Sequence, residues 1–171
     1  MKTKVEILSQ LFVFAFAIGA ISLAGVVKAE TTSTGQDSSL SEKDKIFMKK
    51  AAKGGTMEVA MGNLAEKNRQ NDDVKSFGKR MVTDHTKAND ELKSIASQKG
   101  VQLPAKEPKS KWTSDKTYID MMVKDHEKDL AEFKEEASSG SDPDVKKFAD
   151  ETAKVVQEHL DLVKEIQGKL K

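Results

Sequence analysis

The sequence predicts an all-α protein, an antiparallel four-helix bundle preceded by an N-terminal signal segment. Three observations carry that prediction. Apolar residues recur at steps of three, four and seven through four successive stretches, and only one connection between them is long. Charged residues make up 33% of the chain against 5% aromatic, with 3 prolines, which suits long solvated helices better than a turn-rich sandwich or barrel. The 171 residues leave room for one domain with a substantial core once a targeting segment is removed.

Residues 1–29 read as a Sec-type signal peptide. Lys2 and Lys4 precede an uncharged run, residues 7–27, that contains Leu11, Phe12, Val13, Phe14, Phe16, Ile18, Ile21 and Leu23. Val27, Lys28 and Ala29 then offer a cleavage site before Glu30. The run also approaches the roughly 20 residues that a spanning helix needs, so an inner-membrane anchor formed by residues 7–27 is the alternative. In either case Lys2 and Lys4 hold the N-terminus in the cytoplasm and the following domain is periplasmic or otherwise extracytoplasmic. After cleavage no stable membrane insertion is expected. Residues 30–39 are too polar to bury anything and read as a flexible tether, leaving residues 40–171 for the bundle.

Ser41 followed by Asp44 opens the first helix, whose stripe is Phe47, Ala51, Gly54, Met61 and Ala65. Gly54 and Gly55 weaken it by about 1 kcal/mol each relative to alanine and mark a kink or a close helix contact. Asn71 and Asp72 separate it from a second helix bearing Val74, Phe77, Met81, Val82, Ala88, Leu92 and Ile95, which stops at Gly100. Residues 101–111, with Pro104 and Pro108, form the long connection, so the chain falls into two hairpins joined by a crossover. A ferritin-like bundle uses such a crossover to run its whole length. The third helix, capped near Ser114, presents Tyr118, Ile119, Met122, Leu130, Phe133 and Ala137. The fourth, opened by Asp142 and Pro143, presents Val145, Phe148, Thr152, Val155, Val156, Val163, Ile166 and Leu170. Met81, Val82, Asp84 and His85 are echoed by Met122, Val123, Asp125 and His126.

Several function classes are excluded. The 29 basic residues almost cancel the 28 acidic ones and alternate finely with them, whereas a nucleic-acid binder needs a basic stripe. No nucleic-acid partner is expected. With no cysteine, disulfides, thiolate metal sites and a cysteine nucleophile are ruled out, so any metal site must use nitrogen and oxygen ligands.

Such ligands are present. The 3 histidines fall one each on the second, third and fourth helices, each within the apolar stripe. His85 is four after Met81, His126 is four after Met122, and His159 is three after Val156. The first helix supplies Glu58 at the equivalent inward position, four after Gly54 and three before Met61. Three histidines would all land in an inward sector of about three-sevenths by chance roughly one time in thirteen. Each hairpin also brings its own pair to one layer, so Glu58, His85, His126 and His159 are expected to hold a single metal ion in the core. The competing reading is a metal-free network in which the histidines satisfy the buried Glu58. Asp84, Asp125 and Glu158, each preceding a histidine, sit about 100° round their helices and read as salt-link or outer hydrogen-bond partners. Asp129, three after His126, is either an additional ligand or a surface acid beside Lys128.

Ala51, Ala52, Gly54, Gly55, Met57, Glu58, Gly62, Leu64 and Ala65 begin a pattern that continues through Val74, Phe77, Met81, Val82, Asp84, His85, Thr86, Asn89 and Leu92. Tyr118, Met122, Val123, Asp125, His126, Val145, Phe148 and His159 complete it, and the whole resembles the exported bacterial DUF4142 family. The resemblance implies a ferritin-like four-helix bundle of unassigned function. Ferritin-like oxidases carry Glu-x-x-His pairs for two metals. Here Val82, Val123 and Val156 stand three before the histidines, so that dinuclear pattern is missing. A single zinc, iron, copper or manganese ion suits the residues better, in metal handling or oxidative-stress defence. The alternative is a non-catalytic envelope protein that binds partners through its helical surface.

Overall fold

The structure, a computed structural model, describes residues 40–68, 70–105 and 109–170. The signal segment at 1–29, the tether at 30–39 and the alternative anchor at 7–27 lie outside the described residues. Four helices form: α1 (Glu42–Asn68), α2 (Asp72–Gln98), α3 (Asp115–Ser139) and α4 (Pro143–Lys169). Among the described residues there is no strand, and no helix is long and apolar enough to cross a membrane.

Local chemistry fixes the helix ends. Asn71 accepts from the backbone N–H groups of Asp73 and Val74, Ser114 from Thr117, and Asp142 from Asp144 and Val145. Pro143 occupies the first turn of α4, where its missing N–H costs nothing. Helix α2 ends at Gly100, whose φ of 66° is left-handed, and the Val101 N–H closes back on the Ala96 carbonyl at 2.8 Å.

Contacts between the ends establish the topology. Helix α1 packs on α2 and α3, and α4 packs on α3 and α2. The start of α1 meets the end of α3 through Lys43–Glu135, and the end of α2 meets the start of α4 through Lys99–Asp142 and Lys99–Asp144. At the opposite end the Gln70 N–H donates to Asp115 and Lys169 pairs with Asp73. Every packed pair is therefore antiparallel. The end of α2 and the start of α3 lie at opposite ends, so the crossover spans the bundle, about 40 Å for helices of 27 residues. It crosses α1 at Met57, whose sulfur accepts from the Ser110 hydroxyl at 3.1 Å, and Trp112 packs at a tilt against Tyr118 with ring centres 5.4 Å apart. The expected ferritin-like plan is the one adopted.

The core contains Met48, Ala65, Val74, Phe77, Met81, Leu92, Ile119, Met122, Val145, Ala149, Val156 and Val163, all essentially inaccessible. On α1 the buried line is Met48, Ala52 and Gly55, one residue on from the expected Ala51 and Gly54, which are half-buried. Facing both α2 and α3 widens the covered arc, and the simple stripe underestimates it. The closest backbone approach is at Gly62 and Gly78: a Cβ on Gly62 would lie 2.6 Å from the Gly78 carbonyl, and one on Gly78 2.7 Å from the Ala65 Cβ. A further polar contact closes one end. Buried Asp44 accepts from the Ser41 and Ser141 N–H groups, and beside it buried Glu136 is pushed up to about 7, first by burial and then by its hydrogen bond and charge contact with Asp44.

Candidate metal centre

Midway along the bundle the structure brings together the four residues that the helical period aims at its axis. Glu58, His85, His126 and His159 are each at most 5% exposed. The imidazole centres form a near-equilateral triangle, 5.2 Å between His85 and His159, 5.5 Å between His126 and His159, and 5.8 Å between His85 and His126. Phe77 lies against two of them, 6.4 Å from His126 and 6.3 Å from His159.

Each ring is held through one nitrogen. His85 Nδ1 donates to Glu58 Oε2 at 2.9 Å, His126 Nδ1 to the Met122 carbonyl at 2.9 Å, and His159 Nε2 to Asp84 Oδ2 at 2.8 Å. The other nitrogens, His85 Nε2, His126 Nε2 and His159 Nδ1, are buried without a hydrogen-bond partner. One ring nitrogen from each histidine lies within 4.8 Å of the others, and these three residues make up the set with metal-binding geometry among the described residues. Around a metal with bonds of about 2.0–2.1 Å such nitrogens stand roughly 3.3 Å apart, so the rings need move only by about 1 Å. Glu58 stands beside this set. Its Oε2 holds His85, and its Oε1 is 3.6 Å from His126 Nδ1, beyond hydrogen-bond range.

The surrounding acids divide. Asp84 reaches across to His159 on α4 and also accepts from Arg80 Nε at 3.3 Å, while Arg80 pairs in turn with Glu158. The expected outer partnership of Asp84 and Glu158 is thus realised, between helices. Asp125 and Asp129 are half-buried and make no hydrogen bond or ion pair with any described residue.

Electrostatics follow from this arrangement. Burial alone would raise the Glu58 carboxyl, but the charge of and hydrogen bond to His85, with the charges of His126 and His159, bring it below its ordinary value. Burial likewise disfavours a charged His85, and Glu58 more than reverses it, so the two form an ion pair. His126 is lowered by burial and by charged His85. Burial takes His159 down to about 4, despite its bond to Asp84, with His85 and His126 adding to the fall. Two of the three imidazoles are therefore neutral near pH 7, the form in which a ring nitrogen offers its lone pair. Asp129 is pushed up to about 7, by burial first and the Glu58 charge second.

Sequence spacing placed Glu58 and the histidines inward but carried no signal for Met122 as a carbonyl acceptor, since any residue four before a histidine offers one. The family described as a domain of unknown function, DUF4142, matches residues 29–166. No curated protein matches. Among solved structures, the crystal structure of a DUF305 fragment from Deinococcus radiodurans is similar with a TM-score of 0.65 and 12% identity, over 77% of this chain and 99% of that one. That likeness concerns the fold.

Proposed function

Because the chain belongs to the DUF4142 family of helical domains of unknown function, its site must supply the functional reading, and we propose that it binds one transition-metal ion in the bundle core. His85, His126 and His159 are the ligands, and Glu58, Asp84 and the Met122 carbonyl orient them. One observation carries this: three buried ring nitrogens lack any partner while the opposite nitrogen of each ring is held by an acceptor. Buried polar atoms are rarely left unpaired, and a ligating histidine usually gives its other N–H to a carboxylate or carbonyl. All three rings satisfy both conditions. Imidazole suits zinc, copper and iron better than hard cations. Three donors fall one short of the four that zinc usually takes, which leaves a place for water or a small molecule. The bound ion serves metal handling or oxidative-stress defence outside the inner membrane, after export and cleavage near Ala29.

The Glu58–His85 ion pair favours a second reading, a metal-free hydrogen-bond network that fixes the packing of the four helices. Metal analysis of untagged protein, followed by thermal unfolding with added Zn2+ or EDTA, separates the two. At a hundredfold excess over Kd, a ligand of the folded state adds about 2.7 kcal/mol, a rise of several degrees in Tm. A Tm unmoved by Zn2+, in protein that purifies without metal, leaves the network reading.

A further inference from the structure

The echo between the segments ending in His85 and His126 breaks at one point. Asp84 is fully engaged, by His159 and Arg80, whereas its counterpart Asp125 has no partner among the described residues. Asp125 faces a cleft of about 450 Å³ between α1 and α3, shared with Glu58, Asp129 and Glu132 and rimmed by Lys50, Lys53 and Lys128. We infer that this cleft holds a second cation site, made of oxygen ligands from Glu58, Asp125 and Asp129, through which a divalent cation reaches the histidine centre.

The step to the histidine centre rests on the metal reading above; the oxygen site stands on separate observations. Glu58, which lines the cleft, is 4% exposed, and its Oε1 is buried without a hydrogen-bond partner. A buried, ionised carboxylate oxygen without a donor is costly, and a cation supplies what the chain does not. Asp125 and Asp129 also lack a hydrogen-bond or ion-pair partner among the described residues, although both are only half-buried. Of the three rim lysines, Lys50 and Lys128 turn to Glu132, at 3.5 and 3.8 Å, and Lys53 is exposed to solvent. Gly54 forms part of the wall, and a Cβ there would make ordinary contact with Asp129 Oδ2, at 3.7 Å. Glu58 joins the two sites, since its other oxygen holds His85 at 2.9 Å.

The opposite face offers no equivalent. In the cleft between α2 and α4, of about 280 Å³, the carboxylate that reaches a histidine, Asp84, is already committed to His159 and Arg80. Oxygen ligands select manganese, magnesium or calcium over softer ions, so the site favours transient passage of a transition metal and steadier binding of Mn2+. Removing the charges of Asp125 and Asp129 leaves Lys50, Lys53 and Lys128 in excess along the cleft, which slows the arrival of a cation by about tenfold or more.

Two measurements test this. Mn2+ alone is titrated into the wild-type chain, His126→Ala and Asp125→Asn/Asp129→Asn, with free Mn2+ read by electron paramagnetic resonance. Wild type and His126→Ala should bind alike within about threefold, and the double variant at least about tenfold more weakly. Unchanged binding in the double variant, or loss in His126→Ala, overturns the oxygen site. Zn2+ uptake is then followed by stopped flow against a chromophoric chelator. The double variant should load about tenfold more slowly, with its final Zn2+ affinity within about threefold of wild type. Equal loading rates overturn the route. If wild type takes up no Zn2+, the histidine centre and the route both fail, while the Mn2+ titration still decides the oxygen site.

Discussion

Replacing Phe77 by alanine removes the ring that supports two histidines and leaves a hole that the helices cannot easily fill. Phe77 is 1% exposed and touches Tyr118, His126 and His159, with ring centres 6.1, 6.4 and 6.3 Å away. Lost transfer free energy and a residual cavity together make the expected cost about 3 to 5 kcal/mol. A domain of this size holds about 5 to 15 kcal/mol, so the loss is a large share of the total and is easily read from a urea midpoint. Phe148, 2% exposed and packed on Phe133 at 6.1 Å, is the control, because it touches none of the three imidazoles among its ring contacts. Urea unfolding with EDTA should show similar losses for Phe77→Ala and Phe148→Ala. Zn2+ affinity should then fall only in Phe77→Ala, whose His126 and His159 rings gain room to leave their positions. A stability loss below about 1 kcal/mol at both sites refutes the packing account, and equal Zn2+ affinities refute the supporting role of Phe77.

Gly62→Ala should cost about 1 to 3 kcal/mol, because its Cβ would meet the Gly78 carbonyl at 2.6 Å, while Gly54→Ala, with its nearest atom at 3.7 Å, should be neutral or gain up to about 1 kcal/mol; urea midpoints check both. For metal-free protein, His159 is held down to about 4 from 6.5, so its contribution is present above pH 6.5 and is lost as pH falls through about 4, on the order of 3 kcal/mol in all. Glu136, raised to about 7 from 4.5, acts oppositely: its contribution is full below pH 4.5 and is lost as pH rises through about 7. Glu136→Gln should therefore gain on wild type between pH 5 and pH 8 in urea unfolding, and parallel profiles would contradict the assignment. Mass spectrometry of the protein from an envelope fraction should find an N-terminus near Glu30; intact Met1 in the membrane fraction would favour the anchor at residues 7–27.

Most of the helical frame was legible because its ends are written in local chemistry. Asn71, Gly100, Ser114 and Asp142 act within a few residues of themselves, so their roles survive whatever the bundle does around them. The inward placement of His85, His126 and His159 was legible for a similar reason, since a helical period fixes direction without reference to neighbours. What two helices do to each other was not. Asp84 reaching His159, and Glu58 taking the Nδ1 side of His85, depend on interaxial distance and rotamer. Asp44 read only as an acid in the first turn of α1, yet it is buried against α3 and the following turn, with Glu136 beside it. The Gly62–Gly78 contact is not written in either helix alone, because a close approach needs one small residue on each of two helices.

The most direct test of the metal centre is X-ray absorption at the zinc edge on untagged protein loaded with one equivalent of Zn2+. The account predicts nitrogen or oxygen neighbours at about 2.0–2.1 Å and outer-shell scattering from three imidazoles, falling to two in His126→Ala. A zinc environment with no imidazole scattering, or one unchanged in the triple variant His85→Ala, His126→Ala, His159→Ala, would contradict it.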